Sequence, residues 1–213
     1  MNTSLVPAGS FAVWLTQIQQ ALRGQGGTDV PCGECVGCCV SSYYIPLRAA
    51  DAQVAAQVPP ALLHVTGPAD APQQWMAYGA DGHCPMLRNR QCTVYAQRPQ
   101  TCRDYDCRIF AAAGIAAGDA VRSVINERVA AWQFTYDSPA AQCAHQAVTE
   151  AAAFISAHER DIDGIRFPGG PTGIAVLALK VYGVFLDEAL SGADERTIAW
   201  AIIAASKAFE AGG

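Results

Sequence analysis

Cys32-Gly33-Glu34-Cys35-Val36-Gly37-Cys38-Cys39 is the stretch on which the reading of the whole chain turns. Its C-x2-C-x2-C spacing lets a tight turn aim successive thiolates at one centre, and backbone N–H groups in such a turn can hydrogen-bond the sulfurs. The same run of three opens the bacterial-type iron–sulfur signature, and a C-x2-C pair is also the half-site of tetrahedral zinc, so spacing alone leaves both open. Gly33 and Gly37 permit positive φ and a close approach of backbone to metal. Adjacent Cys38 and Cys39 send their side chains in different directions, which suits two neighbouring centres or a polynuclear cluster better than one tetrahedral ion.

Working outward, the chain holds 9 cysteines in 213 residues. Cys84, Cys92, Cys102 and Cys107 complete a cluster of eight that ends well before the lone Cys143. The N-terminus has no basic segment ahead of its apolar residues, so export is not expected. The longest apolar stretch, Gly173 to Leu186, is broken by Lys180 and reads as a buried helix rather than a membrane span. The expected compartment is therefore the cytoplasm, where clustered cysteines bind metal more often than they form disulfides or serve as small hydrophobes. The metal ligands expected are Cys32, Cys35, Cys38, Cys39, Cys84, Cys92, Cys102 and Cys107, holding zinc or an iron–sulfur cluster.

Hydrophobic residues make up 51% of the chain and charged residues 15%, which excludes a disordered or low-complexity protein. A formal net charge of -5 argues against a general nucleic-acid role. Residues 84–108 run against that sign, with Arg88, Arg90, Arg98, Arg103 and Arg108 facing only Asp104 and Asp106. Four thiolates around one zinc leave a formal charge of about -2, and arginine can offset it without competing as a ligand. The expected role of these arginines is hydrogen bonding to sulfur around the centre.

The surrounding patterns predict a mainly α protein with minor β. Ser10 is placed to cap a helix carrying Phe11, Trp14, Leu15, Ile18 and Leu22, closed by Gly24 and Gly26-Gly27. Tyr43 to Leu47 reads as a strand, Arg48 to Val58 as a helix stopped by Pro59-Pro60, and Gln74 to Tyr78 as a strand before a turn at Asp81-Gly82. Four helical patterns follow. The first has the stripe Val121, Ile125, Val129 and Trp132, and the second runs from Ser138-Pro139 to about His158. The third spans Thr172 to Leu190, and the fourth is capped by Ser191 with Asp194 three residues on and carries Ile198, Ile202, Ala205 and Phe209. This organisation predicts a helical arm at 1–29, a loop-rich cysteine module at 30–110 and a helical layer at 111–213, together one compact domain. With few apolar residues between Gly79 and Gln91, the module is expected to depend on its metal for order.

Other polar residues rank below the cluster. His83 beside Cys84 is a second-rank ligand, and Glu34 reads as an exposed carboxylate. On the helix after Pro139, Cys143 is expected to be buried, and His145 and His158 to face solvent.

The order Cys32-x2-Cys35-x2-Cys38-Cys39, Cys84-x2-Leu87, Cys92-x2-Tyr95-x2-Arg98-Pro99-x2-Cys102-Arg103 and Cys107 resembles the bacterial CxxCxxCC or YkgJ-like cysteine-cluster family. That resemblance implies a zinc- or iron-chelating domain with all eight cysteines as ligands. Tyr95, Arg98, Pro99 and Arg103 carry over as motif residues without an assigned role. The helical C-terminal half and Cys143 lie outside the pattern. Some members carry a label linking them to flagellin lysine methylation, which implies an S-adenosylmethionine-dependent lysine N-methylase as an alternative, although no G-x-G-x-x-G signature is present. The functions left standing are a metal or cluster protein working in electron transfer, that enzyme, and a zinc-stapled module that binds an unidentified protein partner. Sequence leaves the oligomeric state open.

Overall fold

The computed structural model describes residues 5–28, 30–68, 70–158, 162 and 164–212. The chain is mainly α with minor β, the class expected from its periodicity. It divides into two compact units that are not collinear with the sequence: residues 1–27, 107–118 and 129–213 form one, and residues 28–106 and 119–128 form the other. Among the described residues no helix is long and apolar enough to cross a membrane.

The first unit is built on helices. Phe11–Leu22 buries Phe11, Trp14, Leu15 and Ile18 on one face, the spacing its sequence predicts. Ser10 stands at its start but makes no cap bond; its hydroxyl instead donates to the Asp137 carboxylate at 3.1 Å. Pro139–Ala157 begins as expected, with the Ser138 hydroxyl accepting from the Ala141 amide at 3.1 Å. Pro171–Val181 is shorter than predicted. At Val181 the backbone leaves the helical region (φ -119, ψ 4), and Tyr182–Leu186 continues as a 3-10 segment. The last helix, Glu195–Ala211, is capped by Asp194, whose carboxylate accepts from the Thr197 amide at 2.7 Å, and not by Ser191. The shorter reach to the free amides decides which of the two polar residues takes the cap.

The stripe read from Val121 to Trp132 also needs correction. The helix is Ser123–Ala131, with Ile125 and Val129 buried, but Val121 is exposed and Trp132 opens a strand, Trp132–Thr135. Trp-Gln-Phe-Thr alternates buried Trp132 and half-buried Phe134 with exposed Gln133 and Thr135, a period of two that a helical search passes over. Its partner is Val6–Ser10, paired in parallel with Val6 opposite Trp132 and Ser10 opposite Thr135. Phe134 meets Phe11 edge-on at 5.2 Å and Trp14 at 4.9 Å.

The three side chains ranked low on the Pro139–Ala157 helix and its end were each misplaced by sequence. Cys143 is exposed. His145 is half-buried, stacked on Phe11 at 4.4 Å and bonded through Nδ1 to the Tyr136 hydroxyl at 2.6 Å. His158 donates from Nδ1 to the Phe154 carbonyl at 2.7 Å and pairs with Glu195 at 3.3 Å.

The second unit holds a three-stranded antiparallel sheet with Gln73–Met76 in the centre, Ile45–Leu47 on one side and Leu63–Thr66, a strand not foreseen, on the other. Ile45, Met76 and Leu63 lie in one row across it. The predicted Arg48–Val58 helix shrinks to a 3-10 turn, Ala49–Asp51, and one α turn, Ala52–Ala55. The buried Asp51 carboxylate accepts from the Arg48 amide at 2.8 Å and from the Gln100 amide at 3.1 Å, which ties the turn to a distant segment. Ile45, Leu47, Val54, Val58, Met76, Met86 and Val94 pack with Cys84 into one apolar core. The module therefore has an apolar core of its own, built from strand and loop residues spaced far apart, most of them outside the apolar-poor stretch from Gly79 to Gln91.

Candidate metal centre

The knuckle is held by its own backbone. Cys35 donates from its amide to the Cys32 carbonyl at 2.9 Å, and Gly33 takes the positive φ (+55°) that the turn requires. The Gly37 amide then donates to the Cys35 sulfur at 3.5 Å, the N–H to sulfur bond anticipated for this spacing. Gly37 serves a different purpose from Gly33. Its φ is not positive, but a Cβ there would come within 3.1 Å of Ile125 Cγ1, so glycine lets the 119–128 segment lie against the knuckle. Cys38 and Cys39 follow in the 3-10 turn Gly37–Val40.

From there the chain reaches the second cysteine group. The Cys84 amide donates to the Cys39 carbonyl at 2.7 Å, and the interaction between the two thiols pushes Cys39 up and draws Cys84 down. Cys38 and Cys92 also act electrostatically on Cys39. Cys102, pushed up to about 12 chiefly by burial, feels both Cys84 and Cys92. Cys39, Cys92 and Cys102 pack against the apolar core that contains Cys84. Five cysteines from three separated sequence groups thus stand in one neighbourhood. Burial, followed by the charge of Cys35, raises Cys32, while Arg98 and Arg128 pull it down.

Cys102 owes its place to the motif residues that follow Cys92. Pro99 opens the helix Gln100–Asp104, and the Cys102 amide donates to the Pro99 carbonyl at 2.9 Å. Arg103 donates to the carbonyls of Arg98 at 3.1 Å and Ala96 at 2.8 Å, closing the turn Tyr95–Gln97. The Arg98 guanidinium lies 4.3 Å from the centre of the Tyr95 ring and donates to the Tyr95 carbonyl at 3.2 Å. Tyr95, Arg98, Pro99 and Arg103 are thereby a local brace behind Cys102. The helix they support is fastened to the sheet, since Thr101 donates to the Pro46 carbonyl at 2.7 Å and Arg48 pairs with Asp104 at 2.9 Å.

These contacts revise the role expected for the arginines. The bonds described for Arg88, Arg98 and Arg103 go to backbone carbonyls. Arg98 acts on Cys32, Cys92 and Cys102 through its charge, and Arg88 acts on Cys84 in the same way. Arg108 belongs to the other unit, where it is buried and donates to the Ala8 carbonyl at 3.1 Å.

Cys107 also lies in that other unit. It is buried and accepts a hydrogen bond from the Trp132 indole N–H at 3.2 Å. His83 is exposed and sits 3.3 Å from the Asp81 carboxylate, and Glu34 is exposed.

Tyr78 was missed as a site residue. Its hydroxyl donates to the Cys38 carbonyl at 2.5 Å, and burial first, then the charges of Cys84, Cys39, Cys38 and Cys102, hold its phenol protonated. The one sequence signal was its place at the end of a strand directed at the Asp81-Gly82 turn.

The donor set suits a thiophilic ion: soft sulfurs, partly desolvated, with an amide bond to Cys35 and guanidinium charge nearby. Among the described residues no three Cys, His, Asp or Glu side chains stand at metal-holding distances. No curated protein and no solved structure is similar to the chain at a significant level. Residues 31–113 match the model of the CxxCxxCC family, described as "Putative zinc- or iron-chelating domain".

Proposed function

We propose that this protein binds zinc or an iron–sulfur cluster through Cys32, Cys35, Cys38, Cys39, Cys84, Cys92 and Cys102, with Cys107 retained as an eighth ligand on the sequence pattern. The observation that carries the reading is that Cys39, Cys92 and Cys102, from separate sequence groups, pack around the same core as Cys84, with Cys38 acting on Cys39. A bound metal would supply a Lewis-acidic or redox-active centre. The chain's part is to hold the thiolates, offer them N–H donors and balance their charge.

Cys32, Cys35, Cys38, Cys39, Cys92 and Cys102 are each half-buried, so a centre held by them lies near the surface. A centre at that depth suits electron transfer with, or docking of, a protein partner. No observation favours the lysine N-methylase reading, and it is not part of the proposal.

The test is metal content and optical spectrum after anaerobic purification without a metal-chelating tag. Visible sulfur-to-iron bands with iron and sulfide support a cluster; a colourless protein with stoichiometric zinc supports a zinc centre. Neither metal, with all thiols titrating freely, overturns the proposal.

A further inference from the structure

We infer that Arg128 is a positioning residue of the metal centre, pinning the Pro31–Cys32 backbone and placing a fixed positive charge beside Cys32. The inference rests on the metal-binding reading above.

Arg128 comes from the segment 119–128, which lies outside the matched residues 31–113 yet belongs to the same compact unit as the knuckle. Its Nη2 donates to the Pro31 carbonyl at 2.9 Å and to the Cys32 carbonyl at 3.1 Å. The Cys32 carbonyl is the same one that accepts from the Cys35 amide, so Arg128 grips the turn that aims two ligands. The segment is seated at two further points: Ile125 lies against Gly37, and the Arg122 guanidinium stands 5.0 Å from the centre of the Tyr43 ring. Together these fix the reach of Arg128.

A thiolate centre carries net negative charge once metal is bound, and burial makes that charge costly unless a cation is near. Arginine meets the need without becoming a ligand, because its guanidinium stays protonated and has no lone pair to offer. Of the arginines inside the matched residues, Arg103 bonds the 95–97 turn, and Arg88 bonds its neighbouring carbonyl while its charge acts on Cys84. Arg98 and Arg128 both act on Cys32, and among the contacts described Arg128 is the arginine bonded to its backbone.

The experiment measures metal affinity of the full chain by competition with a chromogenic chelator, using Zn(II) or Co(II), at low and high ionic strength. Wild type, Arg128→Gln and Arg128→Lys are compared, with far-UV circular dichroism as the fold control. Arg128→Gln should weaken binding about 10- to 100-fold at unchanged stoichiometry. Arg128→Lys should recover part of that loss at low salt, and the recovery should shrink at high salt. Should Arg128→Gln fail to fold, the salt dependence of Arg128→Lys against wild type carries the test. Affinity of Arg128→Gln within twofold of wild type overturns the inference while leaving the metal reading intact, and equal losses in both variants overturn the charge role. A wild type that binds neither ion and carries no iron and sulfide after anaerobic purification sinks the metal reading itself.

Discussion

The Cys84 amide donates to the Cys39 carbonyl at 2.7 Å, so two residues far apart in sequence are tied by their backbones where their thiols act on each other. Cys84 is also a member of the apolar core of its unit. The pair therefore joins the candidate ligands to the packing that holds them. Cys84→Ala keeps a small apolar side chain in the core and removes only the sulfur, at a packing cost of about 1 kcal/mol. Its circular dichroism spectrum should match wild type, while bound metal per chain falls. Full metal retention by Cys84→Ala would remove this residue from the ligand set.

Chelation should act unevenly within the cysteine-bearing unit. The Ile45–Leu47, Gln73–Met76 and Leu63–Thr66 sheet rests on its own apolar core, whereas residues 32–39 and 95–106 are turns and one short helix. Hydrogen exchange after metal removal should rise by more than about tenfold in those two segments and change little in the sheet or in Pro139–Ala157 and Glu195–Ala211. Equal loss everywhere would show that the metal holds a single cooperative structure.

Cys107 and Trp132 form a buried N–H to sulfur bond at 3.2 Å within the helical unit. In the metal-free protein, a double-mutant cycle of Trp132→Phe and Cys107→Ala should show a coupling of about 1 kcal/mol by urea unfolding. Strictly additive losses would mean that the contact contributes packing alone.

His145, stacked on Phe11 and joined to Tyr136, has its proton affinity lowered by burial. Its folded-state pKa therefore lies below the unfolded value of about 6.5. As pH falls through 6.5 the unfolded chain takes up a proton that the folded chain declines, so stability falls with pH until the folded pKa is passed. His145→Gln should lower the melting temperature at pH 7 yet flatten its decline between pH 7 and pH 5. An unchanged slope would show that another group governs acid sensitivity here.

Sequence by itself determined what is encoded within a turn or two. The Cys32–Cys39 spacing, the N–H to sulfur bonding of its turn, the class of fold, and the helices beginning at Phe11 and Pro139 were all legible, because turn geometry and the 3.6-residue period act between near neighbours. Tertiary structure alone decided which cysteines meet, that Tyr78 bonds the Cys38 carbonyl, that Arg128 returns to the knuckle, and that Trp132 starts a strand paired with Val6. It also moved Cys143 to the surface and His145 inward. Those outcomes depend on segments tens of residues apart closing on one another, and a long-range contact leaves no period in the sequence because it is selected by the shape and charge of surfaces that exist only once both segments are folded.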